Sequence, residues 1–399
     1  MTRLVDVVNF NPDASCLPSA RWVAALQGGV DSDLCKWLGL YVELGRRVSL
    51  GLIGGAVADM AVLNPEALEL VRSNRDVIEI VLRPFAHDVA LLRTRTGFDI
   101  NVRLGREILR REFGEILEFF LPPEFMLTAG QIKQLVDSGV EGVFMNPSRF
   151  RDELQSRLPR VPYQVEGVLG ARLPCIPFDG TLTQAYLDTL HAFDGTPWTR
   201  ALRLSDDVRF SWRDGESSFL LPDGLARERA WLDAEPTTVD RAFVREVLPQ
   251  LDFVRSELLT HECVRAYPVH SFTAWFKELR MLGFVQRVAR IEDAVESLGP
   301  DQVLLWLQAI GSDVLSAVEK DSPRIELCDR PGTASKAFTI WRSERGFEGE
   351  DALALLEGSL QGESPEQFLA LSEEPHLRKL RARLEHARRS PFGRVARRS

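Results

Sequence analysis

The sequence predicts an α/β fold, a (β/α) barrel followed by a C-terminal helical region. Short β-branched runs alternate with segments of helical period over the first half of the chain, as in βα units around a parallel sheet. About seven to eight such runs fall within roughly 215 residues, a count that favours a barrel over an open sheet. From about Thr238 onward the period is helical, which predicts a second region of different character.

The predicted strands are short and apolar, and helical segments separate most of them. In chain order they are Leu4–Phe10, Val48–Ile53, Val77–Leu82, Ile116–Phe120, Val140–Met145, Tyr163–Gly167, Ala171–Ile176 and Val208–Trp212. The helices predicted between them are Asp31–Arg47, Pro65–Val71, Gly97–Phe113, Thr128–Ser138 and Thr181–Phe193. A proline at a first turn and glycines after last turns support the assigned helix ends.

The second half predicts long helices and three regions in all. Its helical segments are Phe243–Leu259, Phe272–Ser297, Gln302–Lys320 and Pro365–His386. We therefore assign residues 1–237 to a barrel of catalytic type and residues 238–362 to a helical region that packs on the barrel mouth. Residues 363–399 form a charged helix and a basic tail that we expect to be disordered, with anionic-surface binding as the alternative role for the tail.

Composition excludes several classes of protein. The 399 residues exceed the size of one hydrophobic core, and 45% apolar with 27% charged residues is ordinary for a folded protein. A net charge of −9 disfavours nucleic acid as the main partner. No apolar run is long enough for a membrane helix and the N-terminus lacks a signal-peptide core, so we expect a cytoplasmic protein without a membrane partner. An oligomer is compatible with the sequence.

The sequence offers few signs of a metal or cofactor. Its five cysteines form no C-x-x-C pair, and its six histidines do not pair at metal-ligand spacing. Glycine-rich phosphate-binding motifs and the H-E-x-x-H motif are absent. We therefore expect neither a metal nor a cofactor.

Two strand ends carry carboxylates, and in a barrel the C-terminal ends of the strands carry the chemistry. Pro122 and Pro123 end an apolar strand, and Glu124 follows them directly. Asp214 and Glu216 flank a glycine after another strand, beside Trp212. A solvated glutamate and an ordinary Asp-Gly turn are the alternatives. A pair of carboxylates on different strands is what cleavage of a glycosidic bond requires.

The ordered set of motifs resembles glycoside hydrolase family 57, whose members act on α-glucans as hydrolases or glucanotransferases. Over about residues 4–290, the matching segments are VSLGLIG, the RPFAH segment ending in His87, LPPE ending in Glu124, WRDGE around Asp214 and, more loosely, the helix from Trp275. The resemblance implies an incomplete (β/α)7 barrel with a helical region. It implies Glu124 as the catalytic nucleophile, Asp214 as the acid/base, and His87 as a substrate-binding residue.

The first motif departs from the family pattern. Where the family has histidines at the end of its first strand, this chain has Asn9 and Asn11, which can hydrogen-bond a sugar hydroxyl but carry no charge. Trp212 and Trp275 have aromatic faces that suit a sugar ring, with core packing as the equal alternative. We count Asn9, Asn11, His87, Trp212, Glu216 and Trp275 as candidate substrate-binding residues.

The function that the resemblance implies is retaining hydrolysis or transglycosylation of an α-glucan or a related oligosaccharide or polysaccharide. Two alternatives stay open. One is a non-catalytic descendant of the barrel that binds a carbohydrate or a protein. The other is a deacetylase-like carbohydrate enzyme, which the lack of paired histidines disfavours.

Overall fold

The computed structural model describes most of the predicted barrel and part of the helical region. The described residues are 2–11, 20–145, 161–178, 208–215, 217–220, 223–258, 279–311, 352–354, 356–358, 360–361 and 385. The predicted helix Thr181–Phe193 and nearly all of Pro365–His386 lie outside them. Among the described helices, none is both long and apolar enough to cross a membrane.

Ten strands and eleven helices are described. The strands are β1 (Thr2–Phe10), β2 (Val48–Leu52), β3 (Ile78–Leu82), β4 (Leu117–Phe120), β5 (Gly142–Met145), β6 (Tyr163–Glu166), β7 (Arg172–Pro177), β8 (Arg209–Asp214), β9 (Val239–Arg241) and β10 (Ser256–Leu258). The helices are α1 (Ala20–Leu26), α2 (Asp33–Leu44), α3 (Gly54–Leu63), α4 (Pro65–Ser73), α5 (Arg95–Phe113), α6 (Ala129–Asp137), α7 (Ser217–Leu220), α8 (Gly224–Asp233), α9 (Val244–Val247), α10 (Leu279–Glu292) and α11 (Pro300–Ala309).

The strands form one curled sheet in the order β10-β6-β7-β5-β4-β3-β2-β1-β8, with β9 also paired to β1. All pairings are parallel except that of β6 with β7. In the described part of the chain the two end strands, β10 and β8, do not pair, so the barrel is incomplete. The predicted fold class, an incomplete barrel of parallel strands with helices, is confirmed.

Side chains alternate between the two faces of the sheet and build two separate cores. Val5 and Val7 of β1 lie in the inner core with Phe119, Phe210 and other inward residues. Leu4, Val8 and Phe10 of the same strand lie in the outer core against the helices. Because successive strand residues point to opposite faces, this division decides which side chains can reach the barrel interior.

Two strands in residues 239–258 correct the sequence analysis. The prediction of helical structure throughout from residue 238, and of one helix over Phe243–Leu259, is wrong there: β9 pairs with β1 and β10 pairs with β6. Only the four-residue α9 is helical, and a 3-10 turn containing Pro249 follows it. Proline cannot continue a helix, because it lacks the N–H and its ring meets the preceding turn. The barrel therefore extends beyond residue 237.

The described part of the helical region is held to the barrel by a buried cluster around Glu292. This side chain, at the end of α10, accepts hydrogen bonds from Arg93 Nη1 at 2.6 Å and from the Thr94 amide at 2.7 Å, both just before α5. Trp306 of α11 donates to it at 3.2 Å. Gly97 makes room, since a Cβ there would lie 2.5 Å from the Glu292 carboxyl carbon. The helices thus dock beside the segment that follows β3.

We expect Glu292→Ala to lower the free energy of unfolding by about 3 to 5 kcal/mol, because the buried Arg93 guanidinium loses the carboxylate at 2.6 Å and keeps only Asp88 at 3.9 Å. Glu296→Ala, which removes an exposed carboxylate from the same region, is the matched control and should change it by less than about 0.5 kcal/mol. Urea denaturation followed by circular dichroism measures both. Equal effects would contradict the assigned role of Glu292.

Candidate active site

The predicted carboxylate of β8 lies beside the end of β1. In the parallel register Asn9 is paired with Asp214, and the Gly215 amide continues the ladder by donating to the Asn9 carbonyl at 2.9 Å. Asp214 follows Phe210 and Trp212 at two-residue intervals, so it shares their inward face. A Cβ at Gly215 would lie 2.5 Å from the Phe10 ring, which is why a glycine follows Asp214.

Asn9 is buried, with 2% of its surface exposed. Its side-chain Oδ1 accepts no hydrogen bond from any described residue. On the other side of β1 its register partner is Gly51 of β2. An amide oxygen left without a donor at the inner end of a strand is a group that a ligand hydroxyl could satisfy.

The segment after β3 is clamped from three sides. The amides of Gly54 and Gly55, in the first turn of α3, donate to the carbonyls of Pro84 and Phe85. Asn101 of α5 exchanges two side-chain hydrogen bonds with the backbone of Ala86, at 2.8 and 3.1 Å. These contacts fix the backbone that carries His87.

Gly105 allows α5 to approach this turn closely. A Cβ at that position would lie 2.3 Å from the Arg83 carbonyl oxygen and 2.6 Å from the Phe85 nitrogen. Only a residue without a side chain fits between the helix and the turn. The position of His87 therefore depends on a glycine in the next helix.

His87 and Glu124 lie next to one another. His87 Nδ1 is 3.8 Å from Glu124 Oε1, with 8% and 17% of the two side chains exposed. Burial lowers the pKa of His87 well below its ordinary value, and the nearby charge of Arg83 lowers it further. His87 is thus neutral near pH 7 and can donate or accept a hydrogen bond without cancelling the charge of Glu124.

Glu124 lies in a strained turn. Its φ is +52° and that of Phe125 is +55°, so two consecutive residues with side chains adopt the left-handed conformation. The turn is closed by hydrogen bonds from the Phe125 and Met126 amides to the carbonyls of Pro122 and Pro123, each 3.2 Å long. Such conformations cost on the order of 1–3 kcal/mol per residue and occur mostly at functional sites.

An aromatic contact across the barrel joins the two carboxylate-bearing segments. The ring centroids of Phe125, next to Glu124, and Trp212, two residues before Asp214, are 5.1 Å apart in an edge-to-face arrangement. Phe178, just after β7, contacts Phe125 from another side at 5.7 Å. Although three strands lie between β4 and β8 in the sheet, its curl brings their ends together.

The described candidate residues gather at the C-terminal ends of β1, β3, β4 and β8. They are Asn9, Asn11, His87, Glu124, Trp212 and Asp214. Trp212 is only 5% exposed, which favours the packing interpretation, and its contact with a sugar stays a prediction. Glu216 and Trp275 lie outside the described residues. Within the described chain no three metal-ligating side chains lie together, and the expectation of a metal-free site stays a prediction.

Two residues of the site had not been assigned roles from sequence. Arg83 is buried and donates to Asn11 Oδ1 and to the Leu121 carbonyl. Phe125 connects the Glu124 turn to Trp212. A signal for Arg83 was present, because a charged residue directly after an apolar strand and before a proline is unusual in a core. Phe125 had no such signal.

Asp88, the neighbour of His87, joins the site to the helical region. It is 1% exposed, forms an isolated antiparallel bridge with Gly311, and lies 3.9 Å from Arg93 Nε. Burial raises the pKa of its carboxyl to about 7, against the opposing effects of Arg93 and Asn101. Asp88 therefore titrates near neutral pH.

The sequence matches no protein-family model and no curated protein sequence. Its fold does match solved structures. A 4-α-glucanotransferase from Thermococcus litoralis matches with a TM-score of 0.62 at 16% identity, covering 79% of this chain and 54% of that enzyme. A GH57-type branching enzyme from Pyrococcus horikoshii matches with a TM-score of 0.62 at 10% identity, covering 96% and 94%.

A third match is an exo-type maltose-forming amylase from Pyrococcus sp. ST04, with a TM-score of 0.57 at 11% identity over 96% of this chain and 82% of that one. This chain spans about half the length of the glucanotransferase and most of the length of the other two. At these identities the likeness concerns the fold. The fold is that of glycoside hydrolase family 57 enzymes.

We expect Gly105→Ala to lower the free energy of unfolding by about 1 to 3 kcal/mol, because its methyl group would force α5 away from the Arg83–Phe85 turn. Gly39→Ala is the matched control: this glycine is also helical, but nothing lies within 4 Å of an added Cβ. It should stabilise the protein by roughly 0.5 to 1 kcal/mol. Denaturant titration of both variants measures the difference, and a shift of the same sign for both would contradict the close approach.

We also expect the free energy of unfolding of the wild type to decrease as the pH rises, relative to that of Asp88→Asn. The folded pKa of Asp88, about 7, exceeds its ordinary value of 3.8, so the unfolded chain releases this proton first as the pH rises. The difference in free energy of unfolding should shift by a few kcal/mol between those two values and be constant above them. A difference that stays constant from about pH 4.5 to 8 would contradict it.

Proposed function

We propose that this chain is a retaining α-glucan-active enzyme, a glycoside hydrolase or a transglycosylase of the 4-α-glucanotransferase kind. Its substrate is an α-linked glucan or a related oligosaccharide, because a 4-α-glucanotransferase and a maltose-forming amylase share its fold. The observation that carries the proposal is the meeting of the Glu124 and Asp214 segments at one end of the barrel, through Phe125 and Trp212.

Glu124 is the nucleophile in this proposal. Its turn projects the carboxylate from the end of β4 at a place where 17% of the side chain is exposed, enough for a substrate to reach it. Attack on the anomeric carbon forms a glycosyl ester and breaks the bond to the leaving oxygen. His87, neutral and 3.8 Å away, orients the carboxylate without neutralising it.

Asp214 is the acid/base. It first protonates the leaving oxygen and then removes a proton from the water or sugar hydroxyl that attacks the glycosyl ester. Asn9, beside it in the register, offers a buried amide oxygen to a substrate hydroxyl. Retaining chemistry needs the two carboxyls about 5 to 5.5 Å apart, a separation that a complex with a bound oligosaccharide would measure.

We expect Glu124→Gln to reduce turnover of an activated α-maltooligoside by several orders of magnitude with little change in folding, because the amide keeps the shape but cannot attack. Glu141→Gln, an exposed glutamate before β5, is the matched control and should keep wild-type turnover. Turnover is followed by release of the chromophore, and product anomers are followed by NMR.

Azide distinguishes the two roles. In Glu124→Ala it should attack the substrate directly and give a glycosyl azide of inverted configuration, whereas in Asp214→Ala it should attack the glycosyl ester and give a retained product. The opposite pattern would exchange the two roles. An inverted sugar product from the wild type would reject retaining chemistry.

A non-catalytic glucan-binding protein is the second candidate, and one observation favours it. The asparagines that replace the first-motif histidines have no ionisable proton, and Asn11 Oδ1 already accepts a hydrogen bond from Arg83. A wild type that binds maltooligosaccharides, yet turns them over no faster than Glu124→Gln, would decide for this candidate.

A further inference from the structure

Arg83 is a buried cation that contacts two of the strand ends of the candidate site. It follows β3 directly, is 1% exposed, and is among the largest side chains that are fully buried in the described chain. An arginine so placed must be stabilised by specific partners, because an unpaired buried cation is costly. The identity of those partners indicates what it does.

The guanidinium joins two strand ends that are not neighbours in the sheet. Its Nη1 donates to the Leu121 carbonyl, just after β4, at 2.9 Å, and its Nη2 donates to Asn11 Oδ1, just after β1. The strand between β1 and β3 is β2, and there Gly51 leaves the necessary space: a Cβ at Gly51 would be 3.5 Å from Arg83 Cδ and 2.7 Å from Leu121 Cδ2.

The Leu121 carbonyl is the last backbone group before the turn that carries Glu124. The Leu121 amide donates to the Leu82 carbonyl at 3.0 Å, so Leu82 and Arg83 hold the backbone of Leu121 at both its N–H and its carbonyl. The left-handed backbone at Glu124 and Phe125 persists only where its surroundings enforce it. Arg83 binds the backbone at the start of the turn, and the Phe125 ring packs against Trp212 and Phe178 at its end.

Arg83 also places a permanent positive charge where Asn9 and Asn11 have none. The charge acts on His87, whose pKa it lowers together with burial. Glu124 is the carboxylate whose Oε1 lies 3.8 Å from His87 Nδ1. A guanidinium stays protonated at every physiological pH, so the charge does not depend on pH as that of a histidine would.

We propose that Arg83 is the positioning residue of the nucleophile, bridging the ends of β1 and β4 to hold the Glu124 turn in its reactive conformation. This inference rests on the proposed function for its catalytic consequence, but its structural part can be tested without any activity. Lysine cannot replace it fully, because one ammonium lacks the planar fork that reaches both acceptors.

The test measures amide hydrogen exchange of the segment from Leu121 to Leu127 by mass spectrometry in Arg83→Met and Arg83→Lys. We expect exchange in this segment to accelerate by about tenfold or more in Arg83→Met and by less in Arg83→Lys. Arg245→Met is the matched control, since Arg245 donates to the buried Glu79 at the opposite end of β3. It should leave exchange in this segment unchanged.

If amide exchange in the Leu121–Leu127 segment is as slow in both Arg83 variants as in the wild type, the proposal is overturned. If Arg83→Met does not fold, Arg83→Lys decides, and unchanged exchange there has the same meaning. NMR titration gives a second measurement: the pKa of His87, assigned with His87→Asn, should rise in Arg83→Met and stay low in Arg83→Lys.

Turnover measurements on the wild type and on Arg83→Met distinguish a failure of this proposal from a failure of the proposed function. If the wild type turns over an α-maltooligoside, Arg83→Met should reduce kcat more than it raises KM, because it disturbs the nucleophile rather than substrate binding. A raised KM with unchanged kcat would overturn the positioning role. If the wild type shows no turnover, the proposed function fails, while the exchange measurement still decides on the bridge.

Discussion

Asp6 of β1 and Arg213 of β8 form an ion pair that is buried away from water. The pairing of these two strands depends on it. Arg213 donates to both carboxylate oxygens of Asp6 and to Glu228 of α8. Burial alone would raise the pKa of Asp6, but the charges of Arg213 and Arg241 outweigh it and hold the pKa below its usual range. Because Arg213 is tied outward to the helices, Asp214 must point inward.

The same alternation along the strands connects fold and chemistry. Outward residues build the contacts between sheet and helices, and inward residues line the barrel up to the strand ends. The curl of the sheet then brings together groups that are far apart in sequence, such as Phe125 and Trp212. The site is a consequence of strand register and curl, with little contribution from sequence proximity.

Much of this could be predicted from local pattern. Apolar runs ended by Pro122 and Pro123, or by Asp-Gly at residue 214, marked strand ends correctly, and the resemblance placed His87 and Glu124 in one site. The bridge made by Arg83 could not be predicted, because it depends on the space above Gly51 and on partners 38 and 72 residues away. The helix predicted over Phe243–Leu259 failed because Pro249 outweighed an otherwise helical period.

The left-handed backbone at Glu124 is a conformation that a glutamate adopts at a cost. A glycine would adopt φ of +52° without steric cost, and an asparagine would do so more easily than a glutamate. Selection for stability alone would therefore disfavour a glutamate there. The left-handed turn therefore costs stability at Glu124, the candidate nucleophile, where a glycine would avoid that cost.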